Sequence, residues 1–374
     1  MSIEVELVAG ISGIDAQQWD ALTDGSPILS HAFLSALEDT GCVGAGSGWQ
    51  PYPMIVRNAG KLVGAVPLYL KGHSYGEYVF DWAWAEAFER NGLAYYPKFL
   101  VAVPFTPITG ARLLAKDPTV KTLMAQTLVE QMQQHAFSSA HVLFPDEAST
   151  QVLREAGWME RAGVQFRWHN DNFADFEDFL SRLSHDKRKN IRQERKKIAA
   201  AGVVCKKLNG AEITSAQWDF FFNCYQNTYR EHHSTPYLTR EFFHALGERL
   251  PQQTLLVIAE QAGEPVAAAL NLFSSDTLYG RYWGALRYVP GLHFELCYYQ
   301  AQEFCIAQGI RYFEGGAQGE HKLARGFLPK ATRSFHRIAH PDFAAAIKNF
   351  VEREAEGVGA YHSELEQRAP FKSV

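Results

Sequence analysis

Two stretches of the chain share one pattern of apolar and polar positions. PMIVRNAGKLVGAVPLYL (Pro53–Leu70) and LLVIAEQAGEPVAAALNLF (Leu255–Phe273) each place an apolar run before a short polar turn holding Gly60 or Gly263. A second apolar run follows, with Val63 or Val266 three residues past the glycine. Short apolar runs bounded by turn residues predict hairpins of substantially buried strands. Downstream of each hairpin a helix and then a strand are expected. Thr119–His135 leads to HVLFP (His141–Pro145), and Phe294–Gln308 leads to IRYFEGG (Ile310–Gly316). Two similar α+β units in tandem account for the 374 residues better than one large sheet.

Between the repeats, DNFADFEDFLSRLSHDKRKNIRQERKKIAAAGV reads as two consecutive helices. On the second, Ile191 and Ile198 lie on one line that Leu180 and Leu183 extend. Ala199–Ala201 and then Gly202 supply a helix former and a stop. A terminal helix is expected over Phe343–Glu366, ending before Pro370. The boundaries that follow are 1–165, 166–342 opened by the second of these helices, and 343–374 as terminal helix and tail.

That second helix changes the picture through its charge. Seven of the eleven residues from Lys187 to Lys197 are basic, in a chain of formal net charge −5. Arg188, Arg192 and Arg195 form a stripe beside the apolar seam, suited to bidentate binding of phosphate or carboxylate, while the lysines point further out. A solvated helix face is the plain alternative. The net acidity argues against non-specific coating of nucleic acid or anionic membrane, so any anion site must be local. Apolar residues at 47% and charged residues at 21% are ordinary for a globular protein. No apolar stretch approaches the length of a membrane span, and the N-terminus lacks the signal-peptide pattern, so a cytoplasmic protein is expected. Five cysteines without a CxxC pair fit free thiols.

Candidate chemistry concentrates in four places. EGGAQGEHKLARGF (Glu314–Phe327) follows a strand and compresses glycines with Gln318, Glu320, His321, Lys322 and Arg325. Glycine lets backbone approach a ligand there, and the charged groups offer acid/base and anion-binding functions. Lys71–Phe99 is rich in aromatics, which could wall a groove or fill a core; Tyr75, Tyr78 and Asp81 are its candidates. VPFTPITGARLL (Val103–Leu114) carries Thr106 and Arg112 in a proline-bounded loop that fits an anion site or a plain turn equally. Arg281, on the strand LYGRYWGA, joins the binding candidates. GAGSG (Gly44–Gly48) lacks the Lys-Ser/Thr of a phosphate loop. No serine or cysteine nucleophile motif is present, and His232, His233 and the His293–Glu295 pair do not make a metal site by themselves, so no metal is expected.

With these segments in hand, the chain resembles the FemAB-like branch of the GNAT superfamily of N-acetyltransferases. HAFLSALEDTGCVG, PLYLKGHSYGEYVFDWAWA, VAVPFTPITGARLL, SHDKRKNIRQERKKIAAAGV, HFELCYYQAQEFCIAQG and GAQGEHKLARGF carry the resemblance, which runs from about Ser30 to Phe371. It implies an α+β protein built as a tandem duplication of two GNAT-like acyltransferase domains, from a bacterial, peptidoglycan-biosynthesis-like group. It also implies transfer of an acyl or aminoacyl group to an amine, on a small molecule or cell-wall precursor. The donor would be acyl-CoA or aminoacyl-tRNA, with tRNA as a candidate partner and no permanently bound cofactor. Acetyl-CoA enzymes carry an Arg/Gln-x-x-Gly-x-Gly/Ala loop; here LRYVPGLHFE keeps Arg287 and Gly291 but not the pattern. The coiled-coil arm of some tRNA-using relatives is also missing.

Direct attack by an amine needs a base and a group that stabilises an oxyanion. Glu320 or His321 is the expected base, with Glu295 a third choice. Lys322 and Arg325 would hold a phosphate or the developing charge, and Arg188, Arg192 and Arg195 would position an anionic substrate. Two readings from other classes remain beside this one: a non-catalytic RNA- or tRNA-binding module, and a scaffold on a degenerate acyltransferase fold.

Overall fold

The computed structural model describes residues 3–316 and 319–372. They form two compact units. Unit 1 comprises Met1–Val164 and Ala331–Tyr361; unit 2 comprises Gln165–Lys330 and His362–Val374. The units are therefore discontinuous in sequence, unlike the three consecutive segments expected. The strand Leu328–Ile338 leaves unit 2 after Lys330, and its second half pairs in unit 1 with Ser139–Leu143. The terminal helix, observed over Pro341–Gln367, likewise begins in unit 1 and ends in unit 2.

Both hairpins form, and they match in detail. Met54–Asn58 pairs antiparallel with Lys61–Val66, and Thr254–Gln261 with Glu264–Phe273. Each turn is an Ala-Gly pair with both residues at positive φ (48° and 79° at Ala59-Gly60, 54° and 83° at Ala262-Gly263). That geometry matches the twist of the flanking strands, which is why two-residue hairpins adopt it. Each ladder also slips by one residue at the valine three positions past the glycine, Val63 or Val266, which stands as an extra residue on its strand.

In unit 1 the first hairpin joins Ile3–Leu7 and Leu114–Ala115 in a four-stranded sheet. Pro67 has no amide hydrogen to continue the ladder. The chain there passes into a second ladder, where Leu68–Lys71 pairs with Trp49–Pro51 and Lys98–Val101. Lys98–Val101 runs parallel to Ser139–Leu143, with the helix Pro118–Gln134 between them in sequence. That helix starts where expected because Pro118 fills its first turn and Asp117 accepts from the Thr119 amide. Its Met124 and Leu128 pack with Val56, Phe99, Val142 and Phe335 in the core.

Unit 2 repeats the plan. The order is Val203–Asn209, Thr254–Gln261, Glu264–Phe273, Thr277–Ala285, Tyr312–Glu314, then residues 167–169. The strand Tyr312–Glu314 runs parallel to Thr277–Ala285 after a helical crossover, Leu292–Gln308. The helix Ser215–Glu231, which sequence patterning did not single out, lies directly on Thr277–Ala285. A Cβ at Gly284 would stand 2.0 Å from the Cys224 carbonyl oxygen, and Thr228 Oγ1 donates to the Trp283 carbonyl at 2.9 Å. Gly284→Ala is thus expected to force the helix off the sheet and lower the unfolding free energy by about 1–3 kcal/mol, read as a drop in the urea midpoint. Among the described residues, no helix is long and apolar enough to cross a membrane.

Candidate functional site

A bulge and a run of glycines open unit 2 between two parallel strands. Thr277–Ala285 and Tyr312–Glu314 pair at three positions only, the last being Tyr279 with Glu314. Next on the first strand, the ladder to Glu264–Phe273 jumps from Gly280 opposite Asn271 to Tyr282 opposite Leu270, leaving Arg281 as an extra residue. Such an insertion bends its strand and re-aims the side chain. On the other strand, Glu314 is followed by Gly315 and by Gly316 at φ 80°. The strands part, and a cleft of about 300 Å³ lies between them.

Lys322 and His321 enter this cleft from the turn Glu320–Arg325, and His293, Cys297 and Tyr298 from the crossover helix. The Lys-x-x-x-Gly-Phe pattern has a physical origin. Gly326 holds φ 87° where a Cβ would meet the Phe179 ring at 2.6 Å, and Phe327 is fully buried against Phe313 and Tyr298. Arg325 pins the same turn. Its guanidinium stacks 3.4 Å from the Phe294 ring centroid, pairs with Glu194 at 2.9 and 3.1 Å, and donates to the His321 carbonyl at 2.8 Å. Glu194, which also accepts from Tyr299 Oη, belongs to the basic helix. A carboxylate inside a run of cations gave no sequence signal, yet it ties that helix to the turn.

Lys322 is 3% exposed, and its Nζ donates to the Gly316 carbonyl at 2.8 Å. Burial without a carboxylate bonded to it lowers its pKa to about 8. His321 Nε2 is 2.9 Å from Tyr298 Oη. Burial, with Lys322 and Arg325 nearby, holds His321 below its ordinary value, so it is neutral at pH 7 and able to accept a proton. Burial lowers His293 to about 4. Arg281 lines the cleft and donates to Tyr282 Oη at 3.0 Å. Lys322, His321 and Arg281 are thus the sequence candidates that share the cleft.

The other candidates go elsewhere. Glu295 is buried on the far side of its helix, holding Arg195 through Nη2 at 3.0 Å and Nε at 3.2 Å and accepting from Gln300 at 2.7 Å. It is an ion-pair partner and does not line the cleft. Glu320 is half-exposed and paired with Arg368 at 2.8 Å. Gln318 lies outside the described residues. The arginine stripe splits. Arg195, nearest the isoleucine seam, is engaged by Glu295 and Glu303. Arg192, rotated roughly 60° further from the seam than Arg195, pairs with Glu177 on the surface. Arg192 and Arg188 share an outward groove with Lys189 and Lys196, so two of the three arginines sit with the lysines.

In unit 1, Tyr75 is exposed and packs edge-on against Trp82 and His73. Tyr78 takes φ 62° just before the helix Trp82–Arg90, an element the aromatic-rich reading did not anticipate. Asp81 is buried with Lys98, Glu77, Lys71, Tyr95 and His141 in a cluster that sequence reasoning missed. Thr106 is buried and donates to the Pro104 carbonyl at 2.9 Å.

Arg112 corrects the anion-loop expectation. Lys98–Val101 and Ser139–Leu143 also pair in parallel at three positions, but residues 102–113 fill the place where they would part. Gly110 bridges Pro145, its amide donating to the Phe144 carbonyl and its carbonyl accepting from Asp146. Arg112 is wholly buried, and its guanidinium donates to the carbonyls of Leu143 at 2.8 Å, Ile108 at 2.6 Å and Ala111 at 3.0 Å. The loop's own backbone takes the donors that an anion would need.

A family model described as peptidoglycan biosynthesis/recognition, FemAB-like, matches residues 10–373. A search of curated proteins returns no match. Among solved structures, FemX is similar over 93% of this chain and 100% of its own, at 11% identity and TM-score 0.56. L-PGS from Bacillus licheniformis is similar over 90% and 97%, at 8% identity and TM-score 0.55. A conserved protein of unknown function from Bacteroides thetaiotaomicron is similar over 89% and 99%, at 13% identity and TM-score 0.50. FemX and L-PGS thus share the fold of this chain.

Proposed function

The chain belongs to the FemAB-like family, and on that footing we propose that it transfers an acyl or aminoacyl group from an activated donor to an amine at the cleft of unit 2. The observation that carries this function is the parting of two parallel strands around a buried lysine of lowered pKa and a neutral histidine. The donor's carbonyl sits between the strands. The amine nitrogen attacks it, forming the new C–N bond and an oxyanion. Lys322, cationic below about pH 8, faces that charge in a site where water screens little. His321 takes the amine proton and returns it to the leaving oxygen or sulfur as that bond breaks. Family membership supports a cell-wall precursor as the acceptor, and aminoacyl-tRNA is the donor we propose with it. Acyl-CoA is less favoured, because the segment after the cleft strand lacks the glycine pair of a pyrophosphate loop and Arg287 is engaged by Gln261 at 3.3 Å.

The test is a transfer assay with UDP-linked precursor as acceptor, against aminoacyl-tRNA and acyl-CoA donors, run across pH. The rate is expected to rise as His321 loses its proton, below the ordinary histidine range, and to fall as Lys322 loses its own near pH 8. Product formed with no falling limb near pH 8 would remove Lys322 from the chemistry. No product with either donor class would remove the function.

A further inference from the structure

Asn271 is a polar side chain sealed beneath the cleft. It is 2% exposed, and its amide nitrogen Nδ2 has no hydrogen-bond partner among the described residues. Side-chain amides in such places are nearly always bonded, because an unmade bond there keeps its full desolvation penalty. The surroundings explain why no described residue bonds it. Ladder partners share a face of the sheet, so Asn271 opposite Gly280 and Ala269 opposite Trp283 point the same way. Phe313 joins them from the next strand. Gly280 presents no side chain; a Cβ there would stand 3.2 Å from the Phe313 ring and 3.7 Å from Asn271 Oδ1. The missing group leaves the carboxamide directly beneath the cleft lining, where no described residue bonds Nδ2.

We propose that Asn271 determines which acyl group the cleft accepts: Nδ2 donates to an oxygen on the side chain of the acyl group, so that a short hydroxyl-bearing acyl group is selected over its deoxy counterpart. This assignment rests on the transfer function proposed above. The reacting carbonyl is not the partner, because Lys322 and His321 approach it from the turn Glu320–Arg325, whereas Asn271 lies in the sheet. Sites built to hydrogen-bond a substrate hydroxyl reject the analogue that lacks it, whereas apolar pockets hardly distinguish the two.

The experiment compares matched donors, seryl against alanyl, on the full chain. Wild type is expected to favour the seryl donor by about 10- to 100-fold in kcat/KM, and Asn271→Leu to abolish that preference while leaving alanyl transfer within a few-fold. Equal treatment of the pair by wild type overturns the proposal. So does a variant that slows both donors alike, the result expected of a group at the reacting carbonyl. Binding is measured in parallel by calorimetry, with non-transferable seryl and alanyl amides of 3′-amino-3′-deoxyadenosine. If neither donor is transferred, the transfer function fails, and tighter binding of the seryl amide alone still upholds the role of Asn271. Equal or absent binding of the two amides overturns it. The wild-type comparisons do not depend on how any variant folds.

Discussion

Replacing Lys98 with methionine is expected to lower the unfolding free energy of the protein by about 3–5 kcal/mol, the usual result of stranding a buried charge by removing its partner. Lys98 is wholly buried, and its Nζ donates to Ser74 Oγ at 2.8 Å, Glu77 Oε2 at 2.9 Å and Asp81 Oδ2. Among the described residues the second oxygens, Glu77 Oε1 and Asp81 Oδ1, have no hydrogen-bond partner, so Lys98 is the one cation bonded to both carboxyls. Lys71 is a poor substitute: its Nζ stands 3.9 Å from Glu77 Oε1 and is held over the Trp49 ring. His141 cannot replace Lys98 either, because burial lowers it to about 3 and keeps it neutral. Urea denaturation at pH 7 measures the loss. The deficit should shrink in acid, where the stranded carboxyls take up protons.

The wild-type cluster has its own pH signature, and the signs follow from linkage. Burial pushes Asp81 up, but Lys98 and His141 draw it below its usual range; its stabilisation is present at neutral pH and lost only in strong acid. Burial raises Glu77 from 4.5 to about 7. The folded state then holds a proton the unfolded chain has released, and stability falls as pH rises through that window. Burial lowers Lys71 from 10.5 to about 7. There the unfolded chain binds the extra proton, and stability rises with pH above 7. Together the two groups place a shallow minimum near neutrality, which a denaturation series from about pH 5 to pH 9 would trace. A monotonic profile would mean that Glu77 and Lys71 stay an ion pair throughout.

Lys322→Met should reduce transfer about 10²- to 10³-fold, the range seen when one preorganised donor to a developing oxyanion is removed. Methionine keeps most of the volume of the side chain, so the cleft should retain its shape. Stability is expected to hold or increase, since Lys322 is a desolvated cation bonded to a carbonyl and no carboxylate. Activity and stability would then move apart. A lysine that merely braced the turn would show the reverse, a lowered melting temperature with kcat unchanged. Single-turnover rates and a thermal melt on one preparation separate the two roles.

The repeat was legible because it is local. Apolar spacing and an Ala-Gly turn specify each hairpin, and the same valine carries the bulge in both. The basic helix and the turn bearing Lys322 were visible for the same reason: each lies within about a dozen consecutive residues. The candidates that failed to line the cleft failed for want of partners the sequence could not place. Glu295 looked free until Arg195, 100 positions away, was seen to hold it. His141 meets His336 across 195 positions, so the buried cluster of unit 1 has no sequence motif. Asn271 was invisible because its interest lies in a bond it does not make.

Residues 102–113 leave the two halves of the repeat unequal in how they can be redesigned. Unit 2 keeps an unfilled gap, so new specificity can be sought there by exchanging side chains. In unit 1 the corresponding gap is occupied by main chain, with Arg112 capping three carbonyls from within. Point substitutions cannot vacate it. Building a cleft there would mean shortening the loop and finding new donors for the carbonyls it now serves, which is surgery on the backbone.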